Sequence, residues 1–167
     1  MVSRFVSLVV LASLLSVGSA AAQSVRLLGD FRDWSSYTAT DGAGPVCFAM
    51  TKPTTVTPTP DGYTQAYLYL TSRPSENVSS EFNLVAGFTF QPDSAATVTV
   101  NGQTFNLFTQ NDAAWLDDAG QSDALASAIR AGSSLVVEGT TSAGIKVAQT
   151  FSLAGSTAAS QAVAAEC

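Results

Sequence analysis

The sequence predicts a mainly β fold, an antiparallel β-sandwich-like single domain with a short internal helix and a C-terminal helix. Three observations support this class. Apolar residues recur at every second position from Phe82 to Phe90, which is the period of a half-buried strand. Asn101 and Gly102 separate two alternating segments, as in a two-residue β-hairpin. Clusters of proline, glycine and threonine interrupt the other alternating segments at short intervals.

Residues 1–22 are predicted to be a signal peptide, and residues 23–167 a single domain. Arg4 precedes an apolar run, and small residues follow it up to Ala22, where cleavage is expected. The run is shorter than the about 20 apolar residues that a membrane-spanning helix needs. The pattern predicts export to the periplasm or beyond the cell, with no membrane span after signal removal.

The two cysteines, Cys47 and Cys167, are predicted to form a disulfide. Exported chains reach an oxidising compartment, in which two cysteines most simply pair with each other. A reactive thiol needs a basic neighbour to lower its pKa, and the chain contains no histidine. The pairing predicts that the C-terminal residue is tied to an early strand.

In the first half of the mature chain we expect two strands separated by a loop. Residues 46–50 predict a short strand that places Cys47 on the face opposite Phe48. Residues 52–62 predict an exposed loop, because prolines lack the donors that a strand ladder uses. Alternation resumes at residues 63–71, which predicts a strand covered on both sides. Its two faces carry Ala66, Leu68 and Leu70, and Tyr63, Tyr67 and Tyr69.

Residues 97–108 predict a hairpin whose register is fixed by its Asn-Gly turn. The predicted partners are Val98 with Phe105, Val100 with Gln103, and Thr99 with Thr104. Residues 111–118 predict a helical turn or loop that packs Trp115 inward.

The last third of the chain predicts a helix, two strands and a second helix. Ser122 is expected to cap the short helix, which ends near Gly132. Two alternating segments predict the strands. The first strand has Leu135 and Val137 on the same face. The second strand has a shared face with Ile145, Val147, Phe151 and Leu153. The C-terminal helix is expected to begin at Gly155 and Ser156. Its buried stripe contains Ala159, Val163 and Cys167, which are spaced by four residues.

Charge and residue types exclude several classes of function. The formal net charge is −6, and the chain has no clusters of lysine and arginine such as nucleic acids and anionic lipids require. Without histidine the chain lacks the usual general base and the commonest metal ligand. We therefore expect no cofactor and no enzyme activity.

Acid pairs keep one catalytic alternative open. The pairs are Asp30 with Asp33, and the group Asp112, Asp117 and Asp118. Two carboxyl groups can serve a glycosidase, and several can bind calcium. Their spacing fits no calcium-loop pattern, and neighbouring acids in a loop are usually solvated.

The tyrosine stripe is the candidate contact with a partner. Tyr63, Tyr67 and Tyr69, with Arg73 at the end of the same segment, can offer rings to a protein or a glycan. The alternative is that the stripe packs against a second sheet or the C-terminal helix. Trp34 and Trp115 are expected in the core.

Four segments together resemble the invasion-associated locus B family of α-proteobacteria. They read LGDFRDWSSYTATDGAGPVCFAM, LYLTSRPSENVSSEFNLVAGF, NGQTFNLFTQNDAAWL and TFSLAGSTAASQAVAAEC. The resemblance covers essentially the whole mature chain. It implies an exported, mainly β protein of the cell envelope, associated with host-cell invasion in pathogens, and it brings no catalytic residues with it.

Three functional hypotheses follow. The first is a non-catalytic envelope protein that contacts a macromolecule, on the host surface in pathogens and in the envelope otherwise. The second is a small-ligand-binding or sugar-binding β module. The third is a hydrolase that uses paired carboxylates.

Overall fold

The computed structural model describes residues 24–167, which form one antiparallel sheet of eleven strands and two α-helices. The signal-peptide prediction lies outside the described residues. The strands are β1 (Arg26–Phe31), β2 (Trp34–Asp41), β3 (Gly44–Thr51), β4 (Pro53–Thr57), β5 (Tyr67–Arg73), β6 (Val78–Val85), β7 (Ala95–Val100), β8 (Gln103–Gln110), β9 (Ala113–Leu116), β10 (Ser134–Thr140) and β11 (Lys146–Ser152), and the helices are α1 (Ser122–Ala131) and α2 (Ser156–Glu166).

The order of strands in the sheet is β1-β2-β3-β5-β6-β9-β8-β7-β10-β11-β4. Every ladder is antiparallel. The prediction of a mainly antiparallel β fold with an internal and a C-terminal helix is thus confirmed. The opposed layers of this fold come from one continuous sheet that curls over.

Hydrogen bonds between β2 and the end of β11 mark the curl. The Trp34 indole Nε1 donates to the carbonyl of Ser152 at 3.0 Å, and the Asp33 amide donates to the carbonyl of Ala154 at 3.2 Å. β2 and β11 are the second and tenth strands of the sheet order, so the sheet bends until its two ends meet. Trp34 lies in the core as predicted, at 1% exposure.

Both helices lie on the inner face of the sheet. α2 packs on β1, β2 and β3, and the Ser36 hydroxyl donates to the Ala159 carbonyl of α2 at 2.9 Å. α1 packs on β6, and Leu125 and Ile129 join the same hydrophobic core as the strand residues. Alternate strand residues point into this core because side chains alternate between the two faces.

The Cys47–Cys167 disulfide is present and ties α2 to β3. The two Cα atoms lie 6.0 Å apart, and Cys47 is completely buried. Phe48 lies on the opposite, outer face, as its position in the alternation predicts. Burial of Ala159 and Val163 on α2 confirms the predicted stripe that carries Cys167 to the sheet.

The hairpin between β7 and β8 has the predicted register. Val98 pairs with Phe105, Thr99 with Thr104, and Val100 with Gln103. Asn101 and Gly102 both adopt positive φ, at 52° and 74°, which is the backbone of a type I′ turn. The local turn chemistry was sufficient to determine this pairing.

Three strand predictions need correction. Residues 53–57 are not a loop but the edge strand β4 on β11, where proline is tolerated because one side of an edge strand needs no donors. β5 begins at Tyr67, so Tyr63 is not part of the strand. The alternating segment that starts at Phe82 leaves the sheet at Val85, two residues before Gly87, whose φ is +75°.

Three local predictions in the second half of the chain are also wrong. Residues 113–116 form strand β9, in which Ala114 and Leu116 point inward and Trp115 points outward. The sequence analysis placed Trp115 on the inner side. The side that Trp115 occupies is determined by the pairing of β9 with β6 and β8. Ser122 is the first residue of α1, and the residue before it, Gln121, makes no side-chain cap. Ile145 was predicted to share a strand face with Val147, but it precedes β11 and is 41% exposed.

We expect removal of the disulfide to destabilise the fold. The bond closes a separation of 120 residues, and loss of such a cross-link typically costs about 2–5 kcal/mol. The double variant Cys47→Ala/Cys167→Ala should lose that much free energy of unfolding in urea, and reduced wild-type protein should behave like it. Non-reducing peptide mapping should show the linked pair, and two free thiols would contradict the structure.

Gly155→Ala should destabilise the closure of the sheet. Gly155 has φ +96°, and a Cβ atom there would lie 1.7 Å from the Phe31 carbonyl oxygen. Gly144→Ala is the matched control, because Gly144 has φ +80° but open space around it. We expect about 1 kcal/mol of destabilisation for the control and a further 1–3 kcal/mol, roughly, for Gly155→Ala, measured by urea denaturation. Equal losses for both variants would show that the close approach is unimportant.

Candidate functional site: an aromatic face

The outer side of β2, β3 and β5 carries a cluster of four rings, called here the aromatic face. Its members are Tyr37, Phe48, Tyr67 and Tyr69, all half-buried. They share one side of the sheet because Tyr37 pairs directly with Phe48 across β2 and β3. The cluster therefore follows from strand register and not from a loop.

The rings contact one another in sequence across the strands. The centroids of Tyr37 and Phe48 are 5.3 Å apart in a stacked arrangement. Phe48 meets Tyr69 edge-on at 6.0 Å, and Tyr69 lies 6.2 Å from Tyr67. These separations are in the range that aromatic pairs prefer.

A lysine extends the aromatic face at one end. The Lys52 Nζ atom lies 5.7 Å from the ring centroid of Tyr67, which is within cation–π distance. The face therefore combines flat apolar surface with tyrosine hydroxyls and one positive charge. Such a mixture is typical of surfaces that contact proteins and glycans.

The structure separates the four predicted contact residues. Tyr67 and Tyr69 are on the aromatic face. Tyr63 lies in the preceding turn, where its hydroxyl accepts a hydrogen bond from the Ala66 amide at 3.2 Å. Arg73 lies at the far end of β5 and is bound to Glu81 at 2.7 Å and to Glu76 at 3.2 Å. Tyr37 and Phe48 were not among the predicted contacts, although their pairing across a short hairpin could have revealed them.

Trp115 also lies on the outer side of the sheet. It stacks on Phe108 of β8 with ring centroids 5.3 Å apart, and Phe108 is 46% exposed. Asn83 of β6 separates this pair from Tyr69, because it pairs with Tyr69 on one side and Trp115 on the other. Aromatic side chains therefore recur along the outer side from β2 to β8.

One acid of each set considered for catalysis has a local structural role. Asp30 accepts a hydrogen bond from the Ser35 hydroxyl at 2.6 Å within the β1–β2 hairpin. Asp118 accepts from the Gly120 amide at 2.9 Å and caps the turn before α1. Within residues 24–167, no group of three or more Asp, Glu, Cys or His residues is arranged to hold a metal ion.

Ionisation of Tyr69 is expected to report on the aromatic face. Burial, and secondarily the neighbouring Tyr67, raise the pKa of Tyr69 above the ordinary value of about 10. A raised pKa favours the neutral form in the folded state. The resulting contribution to stability is complete below the unfolded-state pKa and is lost as pH rises through the folded-state pKa.

In an alkaline absorbance titration at constant salt, one of the four tyrosines should therefore ionise later than free tyrosine. Tyr69→Phe should remove this late component, whereas Tyr63→Phe should leave it in place. If the late component persists in Tyr69→Phe, it belongs to another tyrosine.

The chain is similar to known proteins in sequence and in fold. The model of the family described as "Invasion associated locus B (IalB) protein" matches residues 34–164. Among solved structures, the crystal structure of invasion associated protein B from Bartonella henselae is similar, with a TM-score of 0.58 and 15% identity. The likeness covers 83% of this chain and 96% of that chain, and at this identity it concerns the fold.

None of the curated proteins compared with the chain matches it. In residues 24–167 no helix is both long and apolar enough to cross a membrane. The family match covers most of the sequence, including the strands of the aromatic face and all but the end of α2. The chain belongs to the invasion-associated locus B family.

Proposed function

We propose that the chain is an exported, non-catalytic protein of the cell envelope that contacts a macromolecular partner through its aromatic face. The partner is a protein or glycan, on the host-cell surface in pathogens and in the envelope otherwise. The single observation that carries this proposal is the row of four rings across three adjacent strands.

The position of the aromatic face supports a contact role. Both helices pack on the inner side of the sheet, so neither covers these rings. Rigid aromatic side chains bury much area on binding while losing little conformational entropy, and they are enriched at interfaces. A sheet also holds them in fixed positions, which lowers the entropic cost of association.

Export is supported by the N-terminal sequence and by the cysteine pair. Residues 1–22 have the charge, apolar run and small residues of a signal peptide, and residues 23–167 then form the mature single domain. Disulfides persist in oxidising compartments. We accordingly place the mature protein in the periplasm or outside the cell.

The non-catalytic assignment rests on residue chemistry. The absence of histidine from the sequence removes the most frequent general base. Asp30 and Asp118 are used in local hydrogen bonds. The proposal that the chain is not a hydrolase therefore rests on the missing histidine and on these local roles.

Sugar binding is the second candidate, because Tyr67 and Tyr69 combine ring surfaces with hydroxyl groups. Sugars stack on such rings and hydrogen-bond to their hydroxyls. Competition by soluble saccharides separates this candidate from protein contact.

The test measures binding of the mature protein to isolated envelope fractions or host-cell surfaces. We expect saturable binding that falls at least about tenfold in Tyr67→Ser/Tyr69→Ser, since central aromatic residues contribute about 2 kcal/mol or more to interfaces. Ile145→Ser is the matched control, because Ile145 is an exposed apolar residue elsewhere. Unchanged binding by the tyrosine variant, with its melting temperature preserved, would contradict the proposal. Inhibition by a saccharide would favour the second candidate.

A further inference from the structure

A cleft opens where β6 and β9 diverge, between the ends of these strands and the start of α1. Within residues 24–167, pairing between these strands covers only Asn83–Val85 of β6. The remaining part of β6, residues 78–82, has β5 as its one neighbouring strand, because the chain turns away after Leu116 towards α1. The resulting cleft measures about 710 Å³, which lies in the range of ligand sites.

One wall of the cleft is aromatic. Trp115 and Phe108 both line it, and their rings are stacked with an angle of 19° between the planes. Phe108 is the one aromatic residue among the exposed large hydrophobic residues of the described chain. The pair therefore presents ring surface to whatever occupies the cleft.

Three of the residues that line the cleft are acidic. Glu81, Asp117 and Asp123 line the cleft, and the described lining residues include no lysine or arginine. Arg73 binds Glu81 from outside the lining, whereas Asp117 and Asp123 make no salt bridge with the described residues. Asp123 also lies in the first turn of α1, where the helix dipole favours a carboxylate. Two carboxylates without a salt-bridge partner among the described residues thus line the same cleft as the exposed Phe108 ring.

We infer that this cleft binds a basic, extended peptide segment of a partner protein. Aromatic rings such as those of Phe108 and Trp115 attract ammonium and guanidinium groups, and Asp117 and Asp123 supply the complementary charge. Val78, Ser79, Glu81 and Phe82 of β6 line the cleft. A bulge in this segment places Ser80 at φ +54°, so the peptide lies beside β6 without adding a regular strand to the sheet. The cation–π contact of Lys52 with Tyr67 is an internal example of this chemistry on the same sheet.

The inference goes beyond the proposed function and uses different residues. The cleft and the aromatic face are separated by Asn83. Tyr67→Ser/Tyr69→Ser should therefore keep its affinity for a basic peptide, so the two proposals can fail independently.

The experiment titrates the mature protein with a capped tri-arginine peptide and follows tryptophan fluorescence. Trp115 should respond, since the other tryptophan, Trp34, is buried in the core. The isosteric tri-citrulline peptide, which lacks the charge, and free arginine amide are the ligand controls. We expect the tri-arginine peptide to bind at least about tenfold more tightly than either control, and its affinity to fall as salt is raised.

Substitutions in the cleft test which side chains contact the tri-arginine peptide. Asp117→Asn and Asp123→Asn should each weaken tri-arginine binding about threefold, and together about tenfold, as expected for exposed charge pairs. Asp93→Asn removes the same charge at an exposed turn outside the cleft and should have no effect. Phe108→Ser should weaken binding while leaving Trp115 as the reporter.

Three results would overturn the inference. Equal binding of tri-citrulline would exclude recognition of charge. Equal losses in Asp93→Asn and Asp123→Asn would show only general attraction to an acidic protein. Free arginine amide binding as tightly as the peptide would make the site one for small cations and not for an extended segment.

Discussion

The contact between β2 and the segment that follows β11 is the constraint on which the rest of the structure depends. The Trp34 indole and the Asp33 amide hold the carbonyls of Ser152 and Ala154, and the backbone at Gly155 passes so close to Phe31 that no Cβ atom fits. These contacts bring the two ends of the sheet together and start α2 at the point where it can cover β1–β3. The disulfide to Cys47 then fixes the far end of α2.

Closure of the sheet determines which face is available for function. The curled interior is filled by α1, α2 and the inward residues of the strands, and the side chains at the alternate positions of the same strands lie outside. Small residues under α2, such as Ser36 and Ala49, allow the helix to approach the sheet closely. The same alternation therefore creates both a tightly covered inner face and an outer face on which Tyr37, Phe48 and Tyr69 meet.

The sequence was informative where local chemistry decides the structure. The β7–β8 hairpin follows from one Asn-Gly turn, and the cysteine pair was predicted because the chain has two cysteines and its N-terminal sequence led us to expect export. The sequence was uninformative where the pairing of strands distant in the chain decides the structure. β4 is a strand only because β11 offers an edge, and the outward orientation of Trp115 depends on its neighbours Asn83 and Phe108. The cleft arises where β9 leaves the sheet, an event that no local pattern encodes.

Cross-strand stabilisation does not explain every exposed ring. A pair such as Tyr37 and Phe48 can contribute about 0.2–1 kcal/mol to a ladder, and mutual half-burial accounts for part of the aromatic face. Phe108 is different, because nearly half of its side chain remains in water beside two unpaired carboxylates. Since the closed core and the disulfide hold the fold from the other side of the sheet, stability does not require an exposed ring at this position. An exposed ring that the fold does not require is available to a ligand, and under our inference the carboxylates that line the same cleft favour a basic one.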